Sequence, residues 1–251
     1  MSSDYAIAIS GLTKRFGGLV AVDNLSVELE RGKLNAIIGP NGAGKTTLFN
    51  LITGELTANT GRIDFGGCDL VGMKPHQIVR QGVSRTLQIK SVFGGLSVAD
   101  NVRIALLTHE KAVSPFRAAR SYQAAAARAE QLIAEVGLAD RVDDLASTLS
   151  YGDVALLEIA LALAAEPKLL LLDEPVCGMG PQETERAVNL IRSLAKRMDV
   201  VLIEHDMEVV FDIADVIVVM AQGAVLAKGT ATEIAADAAV QEAYLGAPED
   251  E

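Results

Sequence analysis

The chain has 251 residues, half of them apolar, which suits one domain with a large core; aromatics are 4% and Trp is absent, so that core must be aliphatic. A formal net charge of −11 argues against a protein devoted to nucleic acid, which needs a basic surface to neutralise phosphates. A phosphate ligand would have to be held by a local device acting against the overall field. Cys68 and Cys177 are far apart with no metal-like spacing and read as reduced structural residues. Residues 1–9 lack the basic stretch and apolar run of a signal peptide, and the most apolar runs, 169–172 and 216–221, are too short to span a bilayer. A task at a membrane would therefore require docking through another protein.

Residues 5–9 form an apolar run, and 25–29 and 61–65 alternate apolar with polar, so all three predict strands punctuated by Gly17-Gly18, Arg31-Gly32 and Gly66-Gly67. Leu34–Ile38, bounded by Gly39, predicts a buried strand. A helix is expected from Lys45 to about Thr53, closed by Gly54. From Ser97 to about Ala165 the pattern turns helical. Ser97 with Asp100 makes a capping-box-like start, an Ala-rich helix over 121–136 stops at Gly137, and 151–165 is another apolar helix. The last third alternates strands at 169–172, 200–204 and 216–220 with helices at 182–197 and 207–214, which implies parallel βαβ units. The expected architecture is a single α/β domain: a core over 1–87 and 167–251 with a helical lobe inserted at 88–166.

Three segments carry chemistry. Gly39-Pro40-Asn41-Gly42-Ala43-Gly44-Lys45-Thr46, followed by Thr47, matches the phosphate-binding pattern G-x-x-x-x-G-K-[ST], with a predicted strand before it and a helix after it. Its glycines let backbone N–H groups face phosphates, the helix start adds a positive dipole end, and the motif predicts that Lys45 reaches the β- and γ-phosphates of ATP and that the Thr46 hydroxyl binds Mg²⁺. The apolar run 169–172 ends in Asp173-Glu174. Asp173 is placed to hold Mg²⁺, and Glu174 to accept a proton from an attacking water. Leu149-Ser150-Tyr151-Gly152-Asp153 precedes a helix, with Ser150 as a candidate N-cap in a second anion-binding arrangement.

The order of phosphate loop, Gln88, Leu149–Asp153, Asp173-Glu174 and His205 resembles the ATP-binding-cassette (ABC) family over nearly the whole chain. The resemblance implies a P-loop NTPase core with a small antiparallel β subdomain and an inserted α-helical subdomain, and two such chains closing head to tail around two ATPs. It implies that Ser150, Tyr151, Gly152 and Asp153 serve the ATP of a partner subunit and that Glu174 is the catalytic base. Gln88 would contact Mg²⁺ and the attacking water, His205 the γ-phosphate, and Phe16 would stack on adenine.

Val83-Ser84-Arg85-Thr86-Leu87-Gln88, Leu96-Ser97-Val98-Ala99-Asp100-Asn101-Val102, Leu157-Glu158-Ile159-Ala160, Ile203-Glu204-His205-Asp206-Met207 and Ala243-Tyr244-Leu245-Gly246 resemble the branched-chain amino-acid uptake branch of that family. Such importers pair two related ATPases beneath two membrane permeases fed by a solute-binding protein, which places this chain on the cytoplasmic face of the plasma membrane. Tyr151 stands where the wider family favours Gly, Val154-Ala155 where the branch often has Gln-Arg, Leu87 in place of a usual Phe, and Gly180 in place of Asn or Asp. The competing readings are a lipopolysaccharide-export ATPase of similar architecture, a soluble cassette ATPase of DNA repair or translation, and a GTPase or small-molecule kinase. The acidic balance and single cassette oppose the second, and the last has no use for Ser150–Gly152 or His205.

Overall fold

The computed structural model describes residues 5–86, 92–109 and 118–245. The chain opens with two long antiparallel strands, β1 (Tyr5–Phe16) and β2 (Leu19–Glu30), followed by β3 (Leu34–Ile38) and α1 (Lys45–Ile52). Next come β4 (Thr60–Phe65), β5 (Cys68–Asp69), α2 (Pro75–Gln81) and β6 (Val83–Arg85). Helices α3 (Val98–His109), α4 (Ala118–Glu135) and α5 (Tyr151–Leu163) occupy the middle. The remainder is β7 (Leu169–Asp173), α6 (Pro181–Ala195), β8 (Asp199–Ile203), α7 (Met207–Ile213), β9 (Val216–Ala221), β10 (Ala224–Gly229), α8 (Ala231–Ala236) and α9 (Ala238–Leu245).

Two sheets result. One is antiparallel in the order β2-β1-β4-β5; the other runs β10-β9-β3-β8-β7-β6, with β6, β7, β8, β3 and β9 parallel and β10 antiparallel at the edge. The apolar runs predicted as buried strands are the inner strands of the second sheet, because a strand covered on both faces has no position for a polar side chain. Successive residues of β7 show this: Leu170 and Leu172 pack into the cluster formed with α3 to α6, while Leu169 and Leu171 point the other way, against Leu48, Phe49 and Ile52 of α1 and the first sheet. The one polar residue buried within β3, Asn35, is bonded on both sides of its amide, its Nδ2 donating to the carbonyls of Glu30 and Lys33 and its Oδ1 accepting from the Glu30 N–H.

The helix starts follow local chemistry. The Ser97 hydroxyl accepts from the Asp100 N–H at 3.1 Å ahead of α3, and Gly137 takes φ 81° just past α4. The strands predicted at 5–9 and 25–29 extend to 12 residues each, since their pairing continues through shifts in register at Ile9–Leu12 and Leu12–Lys14. The elements not anticipated are α2, β5, β6, β10, α8 and α9, all eight residues or shorter. No helix among the described residues is long and apolar enough to cross a membrane, and both cysteines are free.

Candidate functional site

The phosphate loop links β3 to α1 at the carboxyl edge of the parallel sheet, where such sheets bind ligands. Its glycines are demanded by backbone contacts on both sides. A Cβ on Gly39 (φ 152°) would lie 2.1 Å from the Met220 carbonyl oxygen, and one on Gly44 (φ 98°) would lie 2.4 Å from that of Ala21. The β9–β10 turn braces the loop, with the Gly223 N–H donating to the Ala43 carbonyl at 3.1 Å and the Gly223 carbonyl accepting from the Asp23 N–H at 2.9 Å. Asn41, Gly42 and Thr46 are exposed at the mouth, and Thr47 and Pro40 are half-buried. The Lys45 ammonium folds back to donate to the carbonyls of Gly39 at 2.6 Å and Pro40 at 3.1 Å. Burial pushes its pKa down, and the charges of Glu174 and Asp173 push in the opposite direction.

β7 delivers the two carboxylates. Asp173 is held by Arg85 of β6, whose guanidinium donates to Asp173 Oδ2 at 2.5 Å, with both side chains almost wholly buried. Arg85 also donates to Asn50 Oδ1, lies 5.4 Å over the Phe49 ring and stands 3.8 Å from Glu55. The other oxygen, Asp173 Oδ1, is buried with no partner among the described residues. Glu174 follows in a left-handed conformation, φ 52°, unusual for a residue with a Cβ, and its N–H donates to the Ile203 carbonyl at 2.9 Å. The sharp turn places Glu174 in a cleft of about 200 Å³ that it shares with Thr86, Asp173, Tyr151 and Val154.

His205 follows β8, with its side chain exposed and its Nδ1 3.8 Å from Glu204. Glu204 is fully buried and accepts from the N–H groups of Val176 and His205, both at 3.1 Å; burial pushes its carboxyl pKa up. Phe16, at the end of β1, is 45% exposed, with the Lys14 ammonium 5.0 Å from its ring centre. At the start of α5, the Ser150 hydroxyl caps the helix by accepting from the Asp153 N–H at 3.1 Å, and it donates to Glu183 Oε1 of α6 at 2.9 Å. Tyr151 is exposed, while Gly152 and Asp153 are buried. The cleft thus joins Tyr151 to Asp173 and Glu174 within one chain, whereas Ser150 meets α6 and not the phosphate loop. Gln88 lies outside the described residues.

Arg85, Glu204 and Glu183 were missed as contributors. Arg85 and Glu204 stand inside segments that the motif reading quoted, but their partners are distant in sequence. For Glu183 the only local sign is its place at the third position of α6, where a carboxylate caps the helix.

The family model described as ABC transporter matches residues 22–177, and that of the branched-chain amino acid ATP-binding cassette transporter matches residues 224–250. The chain is 40% identical over 250 residues to the high-affinity branched-chain amino acid transport ATP-binding protein LivG of Salmonella typhimurium, covering 96% of this chain and 97% of the relative. The same figures hold for BraF of Pseudomonas aeruginosa. The ADP conformation of an ATP-binding cassette of an ABC transporter superposes with a TM-score of 0.85 at 28% identity, over 98% of this chain and all of that one. By the family model and by these relatives alike, the chain belongs to the ABC transporter family.

Proposed function

We propose that this chain binds and hydrolyses ATP to drive an importer of branched-chain amino acids or similar small solutes, as the peripheral subunit on the cytoplasmic face of the membrane. The observation that carries the reading is the family match over both the cassette and the C-terminal residues 224–250, together with the carboxylate pair beside the phosphate loop. The same match favours uptake over lipid export. Residues 88–166 act as the helical arm and the remainder as the nucleotide-binding core.

In this reading ATP lies along the loop Gly39–Thr47, with its adenine on Phe16. Lys45 exchanges the carbonyls of Gly39 and Pro40 for the β- and γ-phosphates. No group of three His, Cys, Asp or Glu side chains among the described residues is arranged to hold a metal. The donors present are the Thr46 hydroxyl, the unpartnered Asp173 Oδ1 and, by resemblance, Gln88. This set fits Mg²⁺, a hard cation bound through oxygen donors that include one or two carboxylates, with phosphates and water completing its shell. The metal would neutralise charge on the phosphates. Glu174 accepts a proton from the water attacking the γ-phosphorus as the bond to the bridging oxygen breaks, and His205 contacts the γ-phosphate. Ser150 and Gly152 serve the ATP of a partner cassette, and two permeases, fed by a solute-binding protein, receive the motion.

Two measurements test this. Glu174→Gln is expected to retain ATP binding and slow hydrolysis by roughly 10²–10⁴, the scale of general-base assistance; near-normal turnover would remove Glu174 from that role. The tagged chain, purified from detergent-solubilised native membranes, is expected to bring with it multi-span permeases and a second cassette. Recovery of a lipid-export assembly, or of soluble partners alone, would overturn the importer assignment.

A further inference from the structure

At the start of α5 the Ser150 hydroxyl already meets an anion of this chain. Glu183, in the first turn of α6, lies 33 residues along the chain from Ser150 and bridges two segments with its two oxygens. Oε1 accepts from the Ser150 hydroxyl at 2.9 Å, and Oε2 accepts from the Gly180 N–H at 3.1 Å. Its side chain fills the space left open by Gly152, where a Cβ would meet Glu183 Cδ and Oε1 at 2.8 Å. A charge at the next turn of each helix steadies the contact, with Arg186 of α6 3.8 Å from Asp153 of α5. The two donors hold the Glu183 carboxyl below its ordinary range, so it is anionic at neutral pH.

We infer that Glu183 is a positioning residue that latches the signature segment, its carboxylate occupying the place of a phosphate at Ser150 and Gly152 until a partner's ATP displaces it. The inference rests on the assignment of Ser150 to a partner's nucleotide. Its physical content is an exchange. One carboxylate leaves the Ser150 hydroxyl and a phosphate oxygen takes over as acceptor, while Gly180, in the loop after the catalytic strand, loses its own acceptor in the same step. Because like charges cannot share one donor set, every closure of two cassettes must first open this contact. The loop carrying Gly180 is thereby tied to whether the signature is filled.

The test uses the full-length purified chain in a Glu174→Gln background, which stops turnover, and follows ATP-driven self-association by sedimentation alongside binding of a fluorescent ATP analogue by the monomer. Glu183→Gln removes the charge and one of the two accepted bonds. It is expected to lower the ATP concentration for half-association by about three- to tenfold, the scale of one partly exposed charge contact, with monomer affinity unchanged. The gap between the two proteins should narrow as salt rises, which a purely structural role would not produce. Association at equal or higher ATP in Glu183→Gln overturns the latch and leaves the head-to-tail assignment standing. If neither protein associates at saturating ATP, or if Ser150→Arg associates normally, the assignment of Ser150 fails and the latch fails with it.

Discussion

The two candidate anion-binding segments of this chain are held in opposite ways. The phosphate loop is gripped by backbone: the carbonyls of Met220 and Ala21 crowd Gly39 and Gly44, and the β9–β10 turn bonds to Ala43. Backbone carbonyls within a packed sheet do not move aside, so the loop is set in advance and only the Lys45 side chain has to rearrange. The signature segment is gripped by one side chain. Ser150 is exposed and its cross-element partner is the half-buried carboxylate of Glu183. A rigid loop suits a nucleotide held by its own subunit throughout a cycle, and a side-chain contact suits a surface that must be surrendered to a partner.

The comparison can be broken from its rigid side first. Gly39→Ala is expected to cost on the order of 3 kcal/mol of stability, because the new Cβ meets a fixed carbonyl, and to lose measurable ATP-analogue binding. A variant with an unchanged urea midpoint and normal binding would show that the loop yields after all. The next effect concerns the carboxylate beside that loop. Arg85→Met strands Asp173 as a buried unpaired charge, and thermal unfolding should report a loss of about 3 kcal/mol. Adding Asp173→Asn should restore most of it, since the cost lies in the unpaired charge; no recovery in the double variant would place the damage in packing against Phe49 instead. The smallest effect is expected at the signature. Ser150→Ala removes a helix cap, worth about 1 kcal/mol, without disturbing the phosphate loop, so binding of the ATP analogue by the monomer should stay the same. A fall in monomer affinity would join two regions that the structure keeps separate.

How far each part was readable in advance follows the same division. The strand Leu34–Ile38, the helix from Lys45 and the stop at Gly54 are stated by runs of neighbouring residues, and they stand at those positions. The order β10-β9-β3-β8-β7-β6 is not local information. β6 spans only three residues and is a strand because Val83 pairs with Leu169, and β10 reverses direction because a short turn at Gln222-Gly223 folds it back along β9. At the candidate site, Asp173, Glu174, Ser150 and the glycines of the loop were legible as motifs. Arg85 was legible only as part of a stretch of family resemblance, since its partner Asp173 lies 88 residues away.

By itself, then, the sequence determined the phosphate-loop motif, the buried strands and the membership of the chain in its family. The first two are matters of spacing within ten residues or so, where the geometry of one helix turn or one strand constrains what can follow, and the third rests on the order of such motifs along the chain. Only the tertiary structure decided which charge neutralises Asp173, that Glu204 is buried beneath His205, and that Glu183 covers Ser150. Those pairings are set by how α5 and α6 pack and by the strand order of the sheet, and a side chain's partner across such distances depends on the packed layers and not on its neighbours in the chain.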